Sequence, residues 1–212
     1  MIPVKPYPEP DFFDKSVRIP GNSFLKQLSS SKPTGQQWKQ NNYWTCALPE
    51  LIRYYHRICS YYAHWIPSGA CFANVDHYIP KSVRPDLAYE WSNYRLASPQ
   101  ANTWKSYYTD VLDPFVIKND WFILKFPSLM VKPNPELPTD IQKQIFATIK
   151  RLKINDDQSV VDERSHWLKW YCLGAPFSFL KENAPFVAYE LKRQNLLEDI
   201  KTMMSYELGE EE

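Results

Sequence analysis

The chain is poor in glycine, with five in 212 residues against 18 prolines. A glycine-rich phosphate cradle is thereby excluded, and neither a P-loop nor a GxGxxG run occurs. No stretch approaches about 18 uninterrupted apolar residues, so a membrane span is not expected. The N-terminal MIPVKPYPEPDFFDK has no apolar segment of the secretory type, which predicts a cytoplasmic chain. An excess of one charge is also missing: 25 Lys and Arg face 24 Asp and Glu, for a formal net charge of +1. No global positive field draws nucleic acid to this chain, so such binding needs a local patch or a partner. The four cysteines, Cys46, Cys59, Cys71 and Cys172, form no CxxC pair. They read as small core residues of a reduced protein rather than as a disulfide framework or a zinc cluster. The histidines His56, His64, His77 and His166 show no HxxxH or HExxH spacing, which removes the usual zinc hydrolase pattern.

Aromatics, in contrast, are abundant, with eight Trp and fourteen Tyr. Most are expected to pack helices together, and a minor share to form a surface for stacking or for a partner. Three regions follow from the pattern. Residues 1–45 read as an extended, Pro-rich arm, because Pro3, Pro6, Pro8, Pro10, Pro20 and Pro33 oppose long helices. SVRIPGNSF within it looks extended, and such an arm wraps its own domain or docks on a partner. Residues 46–110 begin with a helix predicted over 48–65, with Pro49 in its first turn and Leu51, Tyr55, Ile58 and Tyr62 on one face. A strand over 71–79, a long loop, a strand over 94–97 and a helix started by Ser98-Pro99 complete that region. Residues 111–212 open with a β-hairpin predicted around Lys118-Asn119-Asp120 and continue as helices over 138–154, 159–173 and 185–208, with a short turn at FSFLKEN. The whole is an α+β chain.

The segment from Asn74 to Lys105, NVDHYIPKSVRPDLAYEWSNYRLASPQANTWK, carries the residues that speak to chemistry. Phosphodiester hydrolysis needs a divalent cation to neutralise charge on the phosphate, and hard oxygen ligands suit Mg²⁺. It also needs a neutral imidazole to take a proton from water. Asp76 is the expected metal ligand and His77 the expected base. Adjacent residues of a regular strand point to opposite faces, so a twist or bulge must bring these two to one site. Asn102 offers a second oxygen ligand from the following helix. Asn93 is placed to bind backbone, hold the loop and orient His77. Lys105, at i+3 from Asn102, is the expected phosphate contact, with Lys81 as a weaker candidate.

These residues resemble the HNH (ββα-metal, His-Me finger) endonuclease signature, DHxxP…N…L…CNxxK. The likeness rests on Asp76-His77-Tyr78-Ile79-Pro80-Lys81, on Trp91-Ser92-Asn93-Tyr94-Arg95-Leu96 and on Ala101-Asn102-Thr103-Trp104-Lys105. It implies a ββα-metal finger embedded in a mostly helical domain. It further implies one Mg²⁺ or Mn²⁺ per site held by Asp76 and Asn102, with His77 as general base and Asn93 as the residue that braces the loop. Many such proteins hold a structural zinc on two CxxC pairs; here the corresponding places read CSYY and SPQA, so no structural zinc is expected. A looser resemblance links Ile149–Asp156 and Val160–Arg164 to the TIxxLxLNxxxLVxxR segment of the nuclease subunits of Septu-type anti-phage systems, some of them linked to retrons. That likeness implies an effector subunit that cuts DNA with a protein partner such as an ATPase or a retron complex. Two other readings stay open: an RNA-directed nuclease, for instance one cutting tRNA, and a catalytically silent interaction module that keeps the finger as a scaffold.

Overall fold

The protein is described by a computed structural model covering residues 1–28, 30, 32–68 and 73–204. It is an α+β fold with two small antiparallel sheets among helices. The first sheet pairs β1 (Asn74–His77) with β2 (Tyr94–Ala97) in regular register, Asp76 opposite Arg95 and His77 opposite Tyr94. The helix α4 (Pro99–Lys105) follows directly. The Ser98 hydroxyl accepts from the Ala101 N–H, and Pro99 fills a first-turn position where its missing N–H loses no bond. The strand, loop, strand, helix order expected for this stretch is therefore present, although Cys71, at the expected start of the first strand, lies outside the described residues.

The N-terminal region departs from the expected extended arm. Asp14–Arg18 forms a π-helical turn that runs into α1 (Ile19–Lys26), and α2 (Gly35–Gln40) follows with a Thr34–Gln37 capping box. Pro20 is one of the six prolines that led to the expectation of an extended arm, since a proline ring clashes with the carbonyl one α-turn back. The wider π turn, in which the Ile19 N–H reaches back to Asp14 O, lets the chain stay helical through the proline. Tertiary contacts reward this: Phe13 and Val17 are fully buried. The arm wraps its own domain, with Tyr7 stacked on Tyr54 and its carbonyl accepting from the Trp91 indole. Gly21 lies face-on to the buried Tyr89 ring, and a Cβ there would sit 2.1 Å from Tyr89 Cγ. Tyr89 cannot retreat, because its hydroxyl donates to Asn41 O and its ring is packed among Tyr43 and Trp44. Gly21→Ala is expected to lower stability by about 2–3 kcal/mol, read in a denaturant melt.

The helix predicted over 48–65 stops early. Helix α3 spans Leu48–Tyr55, and His56 and Arg57 turn left-handed at φ 49° and 62°. Arg57 then donates to Ile66 O and Pro67 O, closing a loop in which Ile58 bridges Trp65. The hairpin is shifted as well. Asp113 caps the turn beneath Phe115-Val116-Ile117, so these residues form no strand, and the paired strands are β3 (Phe122–Lys125) and β4 (Met130–Pro133).

Helices α5 (Thr139–Arg151) and α6 (Gln158–Cys172) stand near their expected places, whereas the expected short turn at FSFLKEN is a helix, α7 (Phe177–Asn183). The predicted last helix is broken into α8 (Pro185–Arg193) and α9 (Ile200–Met204), with Asn195 left-handed between them; residues 205–208 lie outside the described residues. The Thr148, Asn155 and Arg164 side chains all bind neighbouring backbone. Thr148 accepts from the Leu112 N–H, Asn155 exchanges two bonds with Val131, and Arg164 donates to Leu129 O and Ile154 O. That segment fastens the second sheet to α5 and α6. Among the described residues, no helix is long and apolar enough to cross a membrane.

Candidate active site

The two residues at the end of β1 meet one cleft. Asp76, His77, Lys81 and Asn102 all line a recess of about 330 Å³, together with the buried Trp38, Ser106 and, at its exposed edge, Tyr107. The strand pairing stays regular through His77, and the chain bends immediately after it. No bulge is needed to bring both side chains to the recess.

The His77 ring is fixed on three sides. Trp44 and Tyr94 pack edge-on against it at 5.0 and 5.3 Å between centroids. Its Nε2 lies 2.9 Å from Ala88 O. A carbonyl only accepts, so Nε2 carries the proton, and in the neutral ring Nδ1 holds the lone pair. Burial, reinforced by the Lys81 charge, lowers the His77 pKa from 6.5 to about 3. The imidazole is thus uncharged at neutral pH, with its lone pair on Nδ1.

Asn93 binds the loop backbone, as its position led one to expect. Its Oδ1 accepts from the Ile79 N–H at 2.8 Å, while Nδ2 donates to Ile79 O and Leu87 O. It therefore ties the two ends of the loop together one residue before Ala88, the partner of His77. Asn93 does not line the recess; it is a positioning residue. The Tyr94 hydroxyl donates to the same Ala88 O at 2.8 Å, filling its second lone pair.

Asp76 is 3% exposed, and its carboxylate accepts from the Tyr61 hydroxyl at 2.5 Å and from Lys105 Nζ at 3.2 Å. Tyr61 was not foreseen, because the helix predicted through it hid the loop that aims its phenol at Asp76. Lys105 was expected on a phosphate and is placed otherwise. It is 0% exposed, and its ammonium is spent on Asp76 and on His77 O at 2.8 Å. Although it shares a helical face with Asn102, it is drawn to Asp76 and His77 O and does not line the recess. Lys81, the weaker candidate, is the cation that faces the recess. Its ammonium lies 4.9 Å from the Trp44 ring centroid, and no carboxylate stands within ion-pair distance of it among the described residues. Burial lowers its pKa, but the nearby Asp76 charge opposes the shift.

No group of three His, Cys, Asp or Glu gathers among the described residues. A hard cation asks for less. Mg²⁺ keeps several waters and takes one or two protein oxygens plus substrate phosphate. A carboxylate has about four lone-pair sites; Tyr61 binds Oδ2 and Lys105 Nζ lies 3.2 Å from both oxygens, which leaves part of the Asp76 carboxylate open to a cation. The half-buried Asn102 amide makes no side-chain hydrogen bond among the described residues and lines the same recess. These two donors fit a hard divalent ion.

The second buried imidazole, His64, is also held near pKa 3 by burial, and its Nδ1 is buried without a partner. Both histidines are neutral when folded and ionise with a pKa near 6.5 when unfolded. The unfolded state therefore binds more protons below that value, and stability present at neutral pH is lost as pH falls toward 3. Each histidine is expected to remove about 2 kcal/mol between pH 7 and pH 5, read from urea midpoints, with His64→Phe abolishing its share of the slope.

Comparison with known proteins gives no match to any protein-family model or to any curated sequence.

Proposed function

We propose that the chain is a divalent-metal-dependent phosphodiesterase of the HNH type acting on nucleic acid, with DNA as the leading substrate. The observation that carries this reading is the fixed His77 tautomer: Nε2 is tied to Ala88 O, which leaves Nδ1 as the base in a recess shared by Asp76, Asn102 and Lys81. In the reaction a water oxygen adds to phosphorus while one of its protons passes to Nδ1. The bond from phosphorus to the sugar oxygen breaks, its electron pair stays on that oxygen, and the oxygen takes a proton from solvent. A divalent ion held by Asp76 and Asn102 would supply charge neutralisation at the phosphate and the leaving oxygen. Lys81 contacts a non-bridging oxygen, and Asn93 keeps the base aimed through the Leu87–Ala88 backbone. By resemblance the substrate is delivered with a partner such as an ATPase or a retron assembly, in anti-phage defence; the net charge of +1 supports dependence on a partner.

One observation favours a second reading. The Lys105 ammonium already neutralises Asp76, as in a retired finger kept as a scaffold for protein contacts. Calorimetric titration with Mn²⁺ separates the two. The phosphodiesterase reading expects one ion per chain, lost in Asp76→Ala and weakened in Asn102→Ala. An absence of binding to the folded wild-type chain supports the silent module.

A further inference from the structure

The reacting groups are set back from the surface: Asp76 is 3% exposed and His77 6%. A recess of about 330 Å³ with an exposed aromatic ring among its lining residues can take a base on that ring together with its phosphate only if the base has left the duplex stack. A single strand reaches such a depth without that penalty. The lip of the recess carries the feature a single strand uses. Tyr107 is 64% exposed, and it follows Ser106, whose left-handed φ of 48° ends α4 and turns the next side chain outward. The Tyr107 ring leans on Tyr108, at 5.0 Å between centroids and 34° between planes. Tyr108 is in turn held by the Arg151 guanidinium at 4.0 Å. This column fixes the ring while most of its surface faces water. A large ring held open in this way at a recess that also carries Lys81 forms a stacking platform, and base-on-aromatic stacking is sequence-tolerant because every base has a π face. Lys81, which lines the same recess, lies over Trp44 at 4.9 Å from its ring centroid and offers a cation to the phosphate of a stacked nucleotide.

We propose that the cleft takes an unpaired nucleotide of single-stranded nucleic acid, its base stacked on Tyr107 and its phosphate directed between Lys81 and His77. The proposal rests on the phosphodiesterase reading for its catalytic consequence, but stacking and cleavage fail separately. Neither the recess nor Tyr107 distinguishes the sugar, so the test carries a DNA arm and an RNA arm.

The test measures binding of short oligothymidylate and oligouridylate strands, each with one 2-aminopurine, to the full chain in Mg²⁺, with the matching duplexes alongside. Wild type is expected to bind a single strand more tightly than its duplex and to quench the 2-aminopurine. Tyr107→Ala should weaken binding about 10-fold and remove the quench, and Tyr107→Phe should restore both. Tyr107-dependent binding in either arm supports the proposal and assigns the sugar. Equal affinity for single strand and duplex, or a Tyr107→Ala variant that binds and quenches like wild type, overturns it. If binding depends on Tyr107 while no strand is cut, the phosphodiesterase reading falls and the stacking site stands. If strands are cut and Tyr107→Ala leaves the preference for single strands over duplex unchanged, the stacking site falls and the phosphodiesterase reading stands.

Discussion

His77→Ala and His77→Gln are both expected to slow metal-dependent cleavage by about 10²–10⁴-fold, the range a positioned general base contributes. The pair of variants separates chemistry from packing. Alanine leaves a gap between Trp44 and Tyr94, which hold the ring from two sides. Glutamine keeps the volume and retains a donor for Ala88 O, the partner of Nε2. Neither side chain can accept a proton at neutral pH. Equal loss in the two variants, with circular dichroism and melting behaviour of the glutamine form close to wild type, assigns the effect to the lone pair on Nδ1. Full activity in His77→Gln removes His77 from the base position.

The second large effect concerns stability. Lys105→Met is expected to destabilise the fold by about 3–5 kcal/mol, because it strands a buried carboxylate. Lys105 is 0% exposed and Asp76 3%, so little water reaches the part of the carboxylate that the ammonium covers. The Tyr61 phenol is the remaining donor, and burial together with the Asp76 charge already pushes its pKa well above the usual value. The methionine retains the length of the lysine stem, so the loss reports charge rather than volume. Combining Lys105→Met with Asp76→Asn removes the stranded charge and should recover much of the stability. A chemical denaturation series over the wild type, both single variants and the double variant measures the coupling. Additive losses would mean that the two groups do not support each other.

The residues that compose the site were legible because the chemistry lies in one local unit. Asp76, His77, Asn93 and Asn102 all sit on or beside β1, β2 and α4, where spacing fixes the geometry, and the Ser98 cap and Pro99 mark the helix start. What escaped depended on distant parts of the chain. Tyr61 reaches Asp76 only because Arg57 binds Ile66 O and Pro67 O and ends the helix that the periodicity of Leu51, Tyr55, Ile58 and Tyr62 would continue. Lys105 and Lys81 exchanged prominence because a helical face shared with Asn102 says nothing about which way that face is tilted against the sheet. The arm turned helical through Pro20 because burying Phe13 and Val17 favours a π turn that propensity alone disfavours. The hairpin slipped because Asp113, paired with Arg95 inside the core, ties down the backbone of the first expected strand.

The account stands or falls on whether the recess cuts phosphodiester bonds. Single-turnover cleavage of an end-labelled oligonucleotide by the purified full chain, with Mg²⁺ or Mn²⁺ and with chelator, measures this directly. The expected result is scission by wild type that requires the metal and falls by about 100-fold or more in His77→Ala, Asp76→Ala and Asn102→Ala alike. Metal-dependent scission that survives His77→Ala unchanged, or a folded wild-type chain that neither binds the ion nor cuts any strand, would contradict it.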